Sequence, residues 1–213
     1  MKFRDIPQFT RCAGYVCDHP WSMFLDTLAK YVSDYGLDMD PDFQRAHVWD
    51  DTKRVRYIEY VLRGGQSGFD IYTNDPGWNR GGKHEFVLVD GKQRVDAVVR
   101  FLRNELPIFD GHFYKDFEDK LPFTGAHFRW HVNDLATRAE VLQWYLDINS
   151  GGVVHTESEL DRVRALLAAE KANPRPEDVA RVAAIQYENA AREARRSRPG
   201  TAVEEGRGKR RAR

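Results

Sequence analysis

The stretch FVLVDGKQRVDAVVRFLRN, Phe86–Asn104, decides how the rest of the chain is read. Phe86 to Val89 are apolar and read as a short buried strand, which Asp90 and Gly91 bring to an end. Val95, Val98, Val99 and Leu102 then recur at helical spacing, which predicts a helix over 92–104. A strand feeding straight into a helix puts the helix N-terminus at the strand's end. Backbone N–H groups there lack internal partners, and the helix dipole adds positive potential. Gly91 permits a sharp turn and a close approach by an anion. Lys92 and Arg94 add charge, and arginine grips phosphate oxygens in bidentate fashion. These features describe a phosphate site. Asp90 would repel phosphate directly. It fits better as a ligand to a metal carried by a nucleotide, or as an orienter of Arg94 or Arg45. The plainer alternative is an ordinary turn with an Asp N-cap and surface Lys and Arg.

Two other segments carry polar groups in loops. DFQRAHVW, Asp42–Trp49, sets Gln44 and Arg45 between the apolar anchors Phe43 and Trp49. An amide beside a guanidinium suits a phosphate, a base edge or a carboxylate; Arg45 in a structural ion pair is the alternative. LDINSGGVVHTESEL, Leu146–Leu160, ends a helix at Asn149, Ser150, Gly151 and Gly152 and starts another soon after. These four can line a ligand site, or simply form a helix C-cap.

Around these motifs the chain alternates short strands with helices. Helical spacing runs from Trp21 through Phe24, Leu25, Leu28, Tyr31, Val32 and Tyr35, with Gly36 as the stop. A second helix follows a cap at Asp50 or Asp51, with Val55, Ile58, Val61 and Leu62 inward and Gly64 at its end. FDIYT and HFRWHV read as strands, and residues 105–126 as irregular. Thr137-x-x-Glu140 and Thr156-x-x-Glu159 are capping boxes opening helices near 138–148 and 157–170. A last amphipathic helix spans roughly 176–196. The fold class is α+β, a small sheet with helices followed by a helical lobe. The expected divisions are an N-terminal arm (1–20), an α/β core (21–135), the helical lobe (136–197) and a disordered basic tail (198–213).

Lys and Arg number 33, and so do Asp and Glu, but the balance is uneven. Residues 192–213 hold nine Lys/Arg and three Glu. Arg207, Lys209, Arg210, Arg211 and Arg213 form either a weak, salt-sensitive DNA-binding tail or a solubilising one. The two cysteines, Cys12 and Cys17, lie near His19, too few ligands for a zinc site, so no metal site is assigned. His127, His131 and His155 have no ligand spacing and read as structural. No apolar run reaches the roughly 20 residues of a membrane span, and the start lacks a signal peptide, so a cytoplasmic location is expected.

Taken together and in order, F-Q-R-x-x-V-W-D, strand-D-G-x-Q-R-helix and I-N-S-G-G before a T-x-x-E-L helix closely resemble the domain of unknown function 262 family. That family is a branch of the ParB/sulfiredoxin superfamily and includes the N-terminal portion of GmrSD-type restriction enzymes. The match runs from about Trp21 to about Leu167. The resemblance implies a ParB/sulfiredoxin-like sheet followed by helices. It implies binding of a nucleoside triphosphate with Mg2+ and its hydrolysis, in DNA-related work such as restriction or phage–host conflict. It assigns Asp90, Arg94 and Arg45 to catalysis. It assigns Gly91, Gln93, Gln44, Asn149, Ser150, Gly151 and Gly152 to nucleotide or phosphate binding, and Lys92 joins them on the positive charge it adds at the helix mouth. Lys92 stands where the family usually has Gln. Full-length restriction members carry a C-terminal HNH nuclease domain, which is not expected in this sequence, so DNA cutting would be expected to need either a separate nuclease subunit or an activity of the ParB-like core itself. A non-catalytic DNA-binding or regulatory module and a ParB-like nuclease are the alternatives.

Overall fold

The computed structural model describes Ile6 and residues 15–78, 85–119, 121, 125–149 and 157–196. The expected strands appear as β2 (Asp70–Asn74), β3 (Val87–Asp90) and β4 (His127–Asn133). A further strand, β1 (Tyr15–Pro20), lies in the segment read from sequence as an arm. Its burial shows no clean alternation, and Pro20 ends it, so nothing local marks it as a strand. Only its six-residue antiparallel register with β4, Tyr15 opposite Val132 through Pro20 opposite His127, makes it one.

The sheet order is β1-β4-β2-β3. β1 and β4 are antiparallel, β4 and β2 parallel, and β2 and β3 antiparallel. Strand alternation divides the apolar residues between two faces. Ile71, Leu88, Phe128 and Trp130 face helices α1 (Phe24–Tyr35), α2 (Asp51–Leu62) and α3 (Lys92–Leu102) in the larger core. Val87, Val89 and Tyr72 face α4 (Arg138–Asn149) and α5 (Glu157–Ala172) in a second core. This is the α+β arrangement expected, with helices on both sides of a mixed sheet.

The caps read from sequence do their work. Asp50 accepts from Lys53 N at 2.8 Å to start α2. Thr137 and Glu140 exchange bonds in a full capping box, Thr137 N donating to Glu140 Oε2 at 2.8 Å and Glu140 N to Thr137 Oγ1 at 3.2 Å. Thr156, like Cys12 and His155, lies outside the described residues. Two residues of the expected α1 face, Val32 and Tyr35, are exposed instead, because the helix meets the core through Phe24 and Tyr31. The last helix, α6 (Pro176–Arg196), is tied to α4 by buried Asp178, which accepts from Arg138 N at 2.9 Å. No helix among the described residues is long and apolar enough to cross a membrane.

Candidate functional site

The site begins with an irregularity in β3. Tyr72 pairs with Asp90 and Thr73 with Leu88, so one step along β2 matches two along β3. Val89 is the extra residue of this bulge. A bulge re-aims the side chains around it, and here it turns Asp90 onto the sheet face that carries Tyr72 and the α4–α5 core. Gln44 holds the bulge from outside. Its Nε2 donates to Leu88 O at 3.1 Å and to Val89 O at 2.7 Å. β3 is an edge strand, and those carbonyls gain the amide where another strand would otherwise pair.

The loop that delivers Gln44 straddles that edge. Phe43 is buried in the second core against Tyr145, and Trp49 packs in the first against Tyr57. Arg162 of α5 grips the loop from above, donating to the carbonyls of Asp42 at 2.5 Å and Gln44 at 2.9 Å.

Gly91 follows Asp90 at φ 112°, and a Cβ there would sit 2.5 Å from Ile71 Cδ1. Only glycine satisfies both the backbone angle and the space. Gly91 is also the N-cap of α3, with no side-chain cap and no acid in the first turn. The Asp N-cap alternative is therefore not adopted. Asp90 is instead paired with Arg94, whose NH2 donates to Asp90 Oδ2 at 2.7 Å and to Asp70 O at 2.8 Å. The Arg94 Nε–H is buried with no partner among the described residues. Buried donors are nearly always satisfied, so such a group asks for an explanation.

Three residues expected to contact phosphate have internal partners instead. The buried Lys92 ammonium pairs with Asp40 and donates to Arg45 O at 3.0 Å. That bond holds the Asp40 carboxyl below its ordinary range. Buried Gln93 accepts from Val48 N and Trp49 N, each at 3.1 Å, and donates to Ala46 O at 3.3 Å. Gln44 is engaged at the bulge. A long polar side chain lodged beside unpaired loop backbone bonds to it, because leaving such groups unmet is costly. Lys92, Gln93 and Gln44 thus shape the cleft rather than present free polar heads to it.

Arg45, Asp90, Gly91 and Arg94 line one cleft, closed by Trp49 and by Tyr145 and Asn149 of α4. Burial raises the Tyr145 phenol to about 12, with Arg45 and Asp90 acting on it in opposite directions. Asn149 bonds back to its own helix, Nδ2 donating to Tyr145 O at 2.7 Å. The cleft holds about 50 Å³, room for a phosphate-sized group but well short of the roughly 300–1,000 Å³ of drug-sized pockets. Ser150, Gly151, Gly152 and the tail residues Arg207, Lys209, Arg210, Arg211 and Arg213 lie outside the described residues. A larger hollow of about 190 Å³ beside α2 and α3 is walled mainly by aromatics and leucines. It lacks the convergent polar groups of the Asp90 cleft. Among the described residues no three metal-ligating side chains gather.

Sequence reasoning missed Tyr145, which lines the cleft, and Arg162, which fixes the loop. It also passed over Tyr72 and Asp70, which with His131, read from sequence as structural, continue the same sheet face. The alternation in FDIYT, with Asp70 and Tyr72 on one side, was the available signal.

The role of Gln44 is open to a direct check. Gln44→Glu keeps the shape but replaces the donor with an acceptor facing two carbonyls. The expected loss is about 1–3 kcal/mol, the usual cost of unmet buried groups, read as a lower melting temperature. An unchanged melting temperature would show that the bulge stands without the amide.

No curated protein and no solved structure matches the chain. A family model does match: that of the GmrSD restriction endonuclease, N-terminal domain, over residues 28–134. The matched region takes in the Gln44–Arg45 loop, the bulge and the mouth of α3. With just over half of its residues inside that model, from α1 to the start of the helical lobe, the chain belongs to the family of GmrSD restriction endonuclease N-terminal domains.

Proposed function

We propose that the Asp90 cleft binds the phosphate chain of a nucleoside triphosphate and hydrolyses it, in restriction-related, DNA-associated work. The observation that carries this reading is Arg94: a guanidinium with a buried, unmatched N–H, paired to a carboxylate that a bulge aims into the same cleft. Arg45 and the uncapped N-terminus of α3 add positive potential beside it. The ParB/sulfiredoxin relationship suggested by the motifs is part of the same proposal.

In this mechanism Arg94, Arg45 and the first backbone N–H groups of α3 stabilise negative charge developing on the transferring phosphoryl group. Asp90 orients Arg94 and accepts a hydrogen bond from the attacking water. One carboxylate with substrate phosphates is a usual donor set for magnesium. Asp90 is partly exposed at the cleft and fits that role. Magnesium, when bound, would neutralise charge on the phosphate oxygens. Ser150, Gly151 and Gly152 are proposed, with Asn149, to cover the ligand beyond the phosphate-sized cleft.

The test is a panel of ATP, GTP, CTP and UTP, measured for binding and phosphate release with and without magnesium and DNA. Binding of at least one with magnesium-dependent release is expected; no binding of any would reject the reading. DNA enters through the tail. Deleting residues 198–213 should leave folding intact and flatten the salt dependence of DNA binding, because fewer counterions are released. Unchanged affinity at low and moderate salt would remove the tail from that role, and a separate nuclease subunit would then be the expected source of DNA contact.

A further inference from the structure

The cleft stops at Asp90, but the sheet face it lies on continues. Tyr72 of β2 stands opposite Asp90 on one side and opposite His131 of β4 on the other. Directly opposed residues have Cβ atoms about 4.5–5.5 Å apart and share a face. Asp90, Tyr72 and His131 therefore form one row across three strands, on the α4–α5 side of the sheet.

The Tyr72 ring is fixed from two directions. His131 stacks on it, with centroids 4.6 Å apart and planes 17° apart. Trp144 of α4 meets it edge-on at 6.0 Å and 90°. His131 is itself held, with Nε2 2.7 Å from Asp70 Oδ1. Asp70 also gives its backbone carbonyl to Arg94 at 2.8 Å, so the row is joined to the cleft's guanidinium at both ends.

The phenol hydroxyl makes no hydrogen bond among the described residues. Burial raises its pKa, and the Asp70 and Asp90 carboxylates raise it further, against Arg94 and Arg129. The hydroxyl thus remains a neutral donor, and two of the groups that act on it, Asp90 and Arg94, line the cleft.

We propose that Tyr72 is a further ligand-binding residue of the cleft, its hydroxyl donating to a phosphate oxygen held at Arg94, with His131 as the residue that positions its ring. This rests on the phosphate-binding reading above. A rigid aromatic ring places its donor at little entropic cost, which is what a site for a small oxyanion needs. It also supplies a donor without charge, so it adds binding without further repelling magnesium.

Inorganic tripolyphosphate and the four nucleoside triphosphates, with magnesium, serve as probes in calorimetric titrations. Tyr72→Phe keeps both ring contacts and removes only the donor. It should weaken binding about three- to ten-fold, the effect of one neutral hydrogen bond, with the melting temperature unchanged. His131→Asn should weaken binding in the wild-type background and have no further effect in the Tyr72→Phe background. A structural role alone would give the same loss in both. His131→Gln is the second variant if Asn disturbs folding. If the wild type binds and Arg94→Ala weakens binding but Tyr72→Phe does not, the Tyr72 assignment falls alone. Equal losses from His131→Asn in both backgrounds would overturn the positioning role. If the wild type binds none of the probes, the cleft reading falls and this inference falls with it.

Discussion

Arg94→Ala should weaken nucleoside triphosphate binding by ten-fold or more. Charge-assisted hydrogen bonds are worth about 1.5–3 kcal/mol, and each 1.4 kcal/mol is a factor of ten. Arg94 is the central group of the proposed site. It reaches Asp90 and Asp70 with one terminal nitrogen and keeps a buried N–H unmatched among the described residues. Alanine also strands Asp90 without its partner, so part of any loss reflects structure. Arg94→Lys separates the two effects: it keeps the charge but loses the planar fork. Lysine is expected to restore the melting temperature more fully than the affinity. Asp90→Asn should reduce phosphate release more than binding, since it removes the carboxylate charge that would polarise the attacking water or hold magnesium. Retention of wild-type affinity by Arg94→Ala would contradict the assignment of the cleft.

Gly91→Ala should give the largest loss of stability of any single substitution at the site. The left-handed backbone at φ 112° costs an L-residue about 1–3 kcal/mol. The new Cβ would lie 2.5 Å from Ile71 Cδ1 and 3.4 Å from Ile71 Cα. Ile71 is fully buried, and overpacking of that kind costs a further 1–3 kcal/mol or so. A total of about 3–4 kcal/mol corresponds to a melting temperature lower by roughly 6–16 °C in a chain of this size. Ile71→Val removes Cδ1, the nearest clashing atom. Combined with Gly91→Ala it should recover part of the loss, leaving the backbone strain. A Gly91→Ala protein melting within about 2 °C of wild type would show that the turn relaxes freely.

Both predictions concern a turn that was legible in the sequence. An apolar run ending in Asp-Gly, followed by a helical period, identifies a strand feeding a helix, and the structure has β3 and α3 there. The caps at Asp50 and at Thr137–Glu140 were readable for the same reason. Hydrophobic period, capping and glycine turns depend on residues a few positions apart, and that information is local. The polar heads were read less well. Gln44, Lys92 and Gln93 have the residue types of a phosphate site, yet they bond to backbone or carboxylate groups 44 to 52 positions away. Composition names a donor but not its acceptor.

The sequence by itself therefore determined the class of the fold, the order of most of its elements, and the place where a strand hands over to a positively flanked helix mouth. The tertiary structure decided the rest. It made β1 a strand, because only β4 supplies the pairing. It turned Asp90 into the cleft, because the bulge exists only in the register of β3 on β2. It set His131 beside Tyr72, because the parallel pairing of β4 with β2 joins residues 59 positions apart. A side chain's face is fixed by its strand's alternation, but its neighbours are fixed by strand order and register, which no local pattern records.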